Sequence, residues 1–156
     1  MTPEFLTKQG FKKLEEELLF LRTDKRKEVA ARLHEAAESS LGEFVEDPEF
    51  EAAKNEQSFV EGRIRELELL LANAKVIKKS RKKNGLVEIG STVVIKEGRR
   101  TEEKYLIVGA AEANPRDGKI SHASPLGQAL LGAKAGQKVE VSAPSGAFSV
   151  KIVEVK

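Results

Sequence analysis

Leu41-Gly42-Glu43-Phe44-Val45-Glu46-Asp47-Pro48-Glu49 separates two long stretches of helical periodicity, and its reading decides the fold. Asp47 suits a helix N-cap, Pro48 suits the first helical position, and Glu49 complements the positive end of the helix dipole. Beyond them Phe50, Ala53, Gln57, Val60, Ile64, Leu67, Leu71 and Ala74 keep 3-4 spacing, with only Gln57 breaking the apolar rule. This predicts a helix from about Pro48 to about Lys75.

Upstream of the connection, Thr7 suits an N-cap, and Leu6 and Phe11 stand at the two positions of a hydrophobic staple. Phe11, Leu14, Leu18 and Leu21 form a second seam. Its next position is Lys25, after which the pattern resumes, shifted, at Val29, Leu33 and Ala36, as a four-residue stutter would give. A helix from about Thr7 to about Ser39 follows. Two seams of similar length with a short connection predict an antiparallel coiled-coil hairpin. Arms of roughly 30 residues at ~1.5 Å per residue make it roughly 45 Å long. Such a hairpin buries one stripe and leaves most of its surface wet, a shape natural for a probe or spacer.

Composition sets the outer limits. Of 156 residues, 33 % are charged and 40 % hydrophobic, as in a globular chain with much exposed helix. No apolar run approaches the ~18 residues that suggest a membrane span, so no membrane partner is expected. The opening Met1-Thr2-Pro3-Glu4-Phe5 lacks a signal peptide's basic and apolar regions, and the absence of Cys removes disulfides and thiolate metal sites. The expectation is a cytoplasmic monomer. The net charge of +2 is unevenly spread. Lys75, Lys78, Lys79, Arg81, Lys82 and Lys83 form a run without an acid, read either as a solvated linker or as a segment lying beside nucleic acid or an acidic surface. The broad basic footprint expected of a duplex-DNA binder is absent.

Among the connection's acids, Asp47 and Glu49 have local structural roles, and Glu35, Glu38 and Glu51 belong to helical surface. Glu43 and Glu46 have no such explanation. Phe44 and Val45, exposed between them at the end of the hairpin, suggest contact with a partner. Two carboxylates suit a hard cation such as magnesium, which is often held by one or two carboxylates with waters or phosphates completing its shell. Such a pair completes a site supplied by a partner; it does not form one alone. The other reading is a solvated acidic loop.

After the basic run, Asn84-Gly85 marks a turn, and β-like runs follow at Ser91 to Ile95, Lys104 to Val108, Val139 to Ser142 and Phe148 to Val155. Pro125 to Leu131 reads as a short helix with Gly132 as its terminating glycine. The fold class is therefore α+β: a helical finger over 1–77 with its tip at about 40–49, a basic linker over 78–85, and a small α+β domain over 86–156. His122, without an acidic partner in view, reads as structural.

The tip Gly42-Glu43-Phe44-Val45-Glu46-Asp47-Pro48-Glu49-Phe50-Glu51-Ala52-Ala53-Lys54 resembles that of the bacterial transcript cleavage factors of the GreA/GreB family, approximately G-D-L-x-E-N-A-E-Y-x-A-A-[RK]. The likeness continues through Asn55 to Ile64 and Leu71 to Ile77. It also covers the opening Leu6-Thr7-Lys8-Gln9-Gly10-Phe11-Lys12-Lys13-Leu14 and the late stretch from Lys119 to Gly132. Several motifs in one order are more specific than any alone.

The resemblance implies a coiled-coil finger and an FKBP-like domain that docks beside the secondary channel of bacterial RNA polymerase. The finger would enter the channel, and its tip acids would help hold a second magnesium and a water at the polymerase active site. The polymerase would then cleave the nascent RNA 3′ end of a backtracked complex, so the factor is not itself an enzyme and binds no cofactor alone. By position, the family's Asp falls on Glu43 and its Glu on Glu46. Arg32 and Lys54 become candidates for RNA phosphate contact, and Ser124, Pro125 and Leu126 for polymerase docking. The chain departs from the pattern at Glu43, one methylene longer than Asp, at Val45 and Asp47, and at Ala37, where a basic residue is common. The connection is about two residues longer near Ser39-Ser40-Leu41 than in some members. A polymerase inhibitor of the same shape is therefore a second expectation. A peptide-binding or prolyl-isomerase module is a third, but it needs an aromatic-lined pocket, and only Tyr105 and Phe148 are aromatic beyond residue 84.

Overall fold

The computed structural model describes residues 3–39, 47–78 and 85–156. They divide into two compact units. One runs from Phe11 to Asn73. The other joins the described residues up to Gly10 with those from Ala74 onward.

In the first unit, α1 (Lys8–Phe20, which begins in the other unit) leads through a π-helical turn (Leu21–Lys25) into α2 (Arg26–Ser39), and α3 (Pro48–Ala72) returns alongside. The seams are the inner stripe: Leu18, Val29, Val60, Ile64 and Leu67 are buried, with Leu14, Leu21, Leu33 and Leu71 packed on them. Toward the connection the buried residues shrink to Ala36 and Ala53.

The break in the first seam is met differently from the expected stutter. Val29, Leu33 and Ala36 each lie one position beyond where a strict repeat would put them. The π turn absorbs this one extra residue, as the Arg26 N–H reaches back to the Leu21 carbonyl, five residues away. The seam thus returns to the inner face within one turn. Lys25, whose position the repeat assigned to the seam, pairs its ammonium with Glu56 at 2.8 Å. Gln57 is exposed.

Charges lace the flanks of this unit. Arg26 donates two hydrogen bonds to Glu61, at 2.7 and 2.8 Å, and Arg63 donates two to Glu17, at 2.8 and 3.2 Å. Arg22 pairs with Glu68 and Arg32 with Glu56. Across Arg22–Glu68, Arg26–Glu61 and Arg32–Glu56 the partner on α3 recedes as the arginine advances, which fits the antiparallel sense. Hydrogen bonds from Lys25 and Arg26 hold the Glu56 and Glu61 carboxyls below the usual carboxylate value.

The second unit contains a five-stranded sheet. Its strands are β3 (Thr92–Lys96), β4 (Glu103–Val108), β5 (Lys119–Ser121), β6 (Lys138–Ala143) and β7 (Gly146–Val155), in the order β5-β4-β3-β7-β6. All pairs are antiparallel except β4 with β5, and β3 and β7 shift register between Val94 and Ile95. One face buries Val93, Ile95, Ile107, Ile120, Val141, Val150 and Ile152 with Leu130 of the short helix α4 (Pro125–Leu130). The buried residues recur at every second position, Val93 and Ile95 on β3 and Val150 and Ile152 on β7, so the core face follows period two.

Two further strands belong to this unit: β1 (Glu4–Leu6) and β2 (Ala74–Val76) pair in parallel, with Leu6 fully buried. Expected as helix, Ala74 to Lys75 is therefore extended, and α3 stops at Ala72. Pairing with β1, extended by the Ile77 N–H to the Leu6 carbonyl at 2.8 Å, overrides the seam's last position. Beside this pair, Thr7 caps α1 by accepting from the Gly10 N–H at 3.0 Å. Its own N–H and hydroxyl donate to Glu112 at 2.7 and 2.5 Å.

Candidate functional site

The connection ends where the sequence placed the start of α3. Asp47 accepts from the Glu49 N–H at 3.0 Å through its side chain and from the Glu51 N–H at 3.0 Å through its carbonyl, with Pro48 as the first helical residue. Glu43, Phe44, Val45 and Glu46 lie outside the described residues, as does most of the basic linker.

At the end of α2 and the start of α3, Arg32, Glu35, Ser39, Pro48, Glu49 and Ala52 line a cleft of about 580 Å³. Arg32 lines this cleft and pairs with Glu56 on the facing helix. Glu56 has no signal in the sequence beyond charge on a helix, and it engages both Lys25 and Arg32. Lys54 does not line this cleft. Its ammonium lies 5.3 Å from the centre of the Phe50 ring and 3.9 Å from Glu51.

In the second unit, Ser124 is the N-cap of α4. Its hydroxyl accepts from the Gly127 N–H at 3.0 Å and donates to the Ser121 carbonyl at 2.7 Å. Pro125 is the first helical residue, and Gly132 follows the helix with φ of 78°. Gly127 lies against the Ser121 carbonyl, where a Cβ would stand 2.1 Å from that oxygen. Leu130 is fully buried, and Leu126 and Leu131 pack partly against the core.

Leu126 also lines a cavity of about 140 Å³ with Tyr105 and Phe148. The two aromatic residues counted in the sequence thus meet, because β4 and β7 both flank β3. The Tyr105 hydroxyl donates to Glu103 at 2.5 Å. That bond first, and burial second, push the phenol up to about 12. His122 lies edge-on to Phe5, with ring centres 5.5 Å apart, and its buried Nδ1 has no hydrogen-bond partner. Among the described residues no carboxylate pairs with it, so the geometry is that of a packed side chain.

A family model described as transcription elongation factor, N-terminal, matches residues 4–76, and one described as transcription elongation factor, GreA/GreB, C-term, matches residues 82–156. The chain belongs to the GreA/GreB family of transcription elongation factors. It is 48 % identical over 155 residues to transcription elongation factor GreA of Chloroflexus aurantiacus, covering 99 % of this chain and 98 % of the relative. It is 47 % identical to GreA of Clostridium acetobutylicum, covering 97 % and 95 %. Among solved structures, GreA factor homolog 1 of Thermus thermophilus is 31 % identical with 99 % of each chain covered and a TM-score of 0.45. Among the described residues no helix is long and apolar enough to cross a membrane.

Proposed function

We propose that this chain is a cytoplasmic accessory factor that enters the secondary channel of bacterial RNA polymerase and stimulates cleavage of backtracked RNA 3′ ends. Membership of the family along both halves of the chain carries this reading. The helical hairpin delivers the tip, and the sheet unit, read as FKBP-like, docks beside the channel through the surface around Ser124, Pro125 and Leu126. The factor acts as a monomer and leaves the hydrolysis to the polymerase.

The Asp47-Pro48 cap supports the tip's part in this. It fixes where helix begins directly after Glu46, so the segment carrying both acids leaves a defined helix end. Glu43 and Glu46 offer only carboxylate oxygens, which fits magnesium, and two such groups complete a shell that the polymerase begins. When bound, the metal would supply charge stabilisation and an activated water. Glu43 and Glu46 would hold it through their carboxylates. Phe44 and Val45 make the apolar contact of the tip, and Arg32 and Lys54 face RNA phosphate.

The test is transcript cleavage in stalled elongation complexes with and without the full chain. Absence of cleavage at every magnesium concentration would overturn the reading. Slowed nucleotide addition in its place would establish the inhibitor reading, which the longer Glu43 side chain favours.

A further inference from the structure

The outer face of the sheet carries a feature that docking by α4 and delivery by the hairpin leave unused. Lys96 on β3 is paired in register with Lys151 on β7, and Lys151 in turn with Lys138 on β6. Residues directly opposite on antiparallel strands share a face, so three ammonium groups stand in a row across three neighbouring strands. At about 4.8 Å per strand the row spans about 10 Å of sheet. All three are exposed, and none forms an ion pair among the described residues. Like charges placed directly opposite destabilise a sheet. This arrangement therefore works against folding unless an anion occupies it.

The surroundings narrow the ligand. The three lysines line one groove of about 800 Å³ together with Ser149 and the glycine turns at Gly98 and Gly136. Glu97 and Glu102 line the same groove, Glu97 lying 3.4 Å from Arg100. Glu140 lies on the same sheet face, opposite Ser149. These acids break up any broad positive field, so a long duplex is disfavoured against a compact anion whose charges fall along the row. No aromatic side chain lines the groove, so a base has nothing to stack on.

We infer that the Lys96–Lys151–Lys138 row is a binding site for a short chain of phosphate groups, recognised by its oxyanions alone. Such a chain arrives either as an inorganic condensed phosphate or as the phosphate tail of a nucleotide.

The experiment is calorimetric titration of the full chain with inorganic tripolyphosphate, adenosine triphosphate, orthophosphate and a hexaglutamate peptide at fixed ionic strength. Tripolyphosphate and adenosine triphosphate should bind with similar affinity, and more tightly than orthophosphate. Lys151→Thr, which removes the central charge but suits a strand, should weaken tripolyphosphate binding about tenfold or more, the value of one charge-assisted contact. The same variant should melt no lower than the native chain, because it relieves the like-charge row. Lys151→Arg should retain binding, and Lys12→Ala, on α1, should leave it unchanged. Equal binding by Lys151→Thr and the native chain, tighter binding of hexaglutamate, or a preference for adenosine triphosphate above tenfold would each overturn the assignment.

Discussion

Replacing Gly62, Gly10 and Gly109 by alanine should change stability in three different ways, because the added methyl meets three different surroundings. At Gly62, on the exposed face of α3, it meets nothing within 4 Å. Only helix propensity changes, which favours alanine by about 1 kcal/mol. At Gly10 the methyl would stand 1.8 Å from the Glu112 carboxylate, the far end of a flexible side chain. Glu112 swings aside and gives up its two hydrogen bonds to Thr7, each worth about 0.5–1.5 kcal/mol, which the propensity gain offsets in part. At Gly109 the methyl would stand 1.5 Å from the Phe5 carbonyl oxygen and 2.7 Å from its carbon.

That last contact is with backbone, so β1 must retreat. Leu6, fully buried, then loses about 1.5–3 kcal/mol of burial, and the pairing with β2 weakens as well. At about 2–4 °C per kcal/mol for a chain of this size, Gly62→Ala should raise the melting temperature by about 2–4 °C. On the same scale Gly10→Ala should lower it slightly and Gly109→Ala should lower it by roughly 3–12 °C. Far-UV circular dichroism during heating measures all three. Native stability in Gly109→Ala would refute the close approach of β1 to the turn after β4.

Further outcomes follow from packing and charge. Leu67→Ala, at a fully buried seam position, should cost about 2–5 kcal/mol and lower the denaturant midpoint for loss of helicity. Glu56 and Glu61 are held below the ordinary carboxylate value of 4.5, so their stabilising effect is present above that value and lost as pH falls through their lower folded values. Acid titration of helicity should show this loss, shifted by added salt and diminished in Glu56→Gln. Tyr105 is the chain's single tyrosine, and the chain has no tryptophan, so absorbance at the phenolate band reports it alone. Its midpoint should lie at about 12, falling toward the ordinary value of 10.0 in Glu103→Gln. Because the folded value is raised, this contribution is complete below the unfolded value and disappears as pH rises through about 12.

The helices and most strands were legible because their signals are periodic. The seam from Phe50 to Leu71 and the alternation along Phe148 to Val155 each state which face is buried, and Asp47-Pro48 and Ser124-Pro125 state where helices begin. The pair β1 and β2 was not legible. Each has three residues, too few for a period, and the partners lie about seventy residues apart in sequence. Lys119 to Ser121 escaped for the same reason of length. The break at Lys25 was visible as an irregularity, but a shift of pattern does not distinguish a spread stutter from one π turn, since backbone hydrogen bonding decides between them.

For the sites, chemistry was more legible than geometry. Pro125 was expected to open a short helix and does so, with Ser124 as its N-cap. The meeting of Tyr105, Phe148 and Leu126 depends on strand order, which spacing does not encode. The engagement of Arg32 and Lys25 by one glutamate, Glu56, depends on the register between two helices, and the lysine row depends on the register among three strands.

The central claim is that Glu43 and Glu46 deliver carboxylates to the polymerase active site. The most direct measurement is the rate of RNA cleavage in backtracked complexes with native chain, Glu43→Ala, Glu46→Ala and Glu38→Ala, each at saturating concentration and across a magnesium titration. The native chain and Glu38→Ala should accelerate cleavage alike, while Glu43→Ala and Glu46→Ala should each lose at least about tenfold at limiting magnesium. Unchanged cleavage in both tip variants would contradict the account.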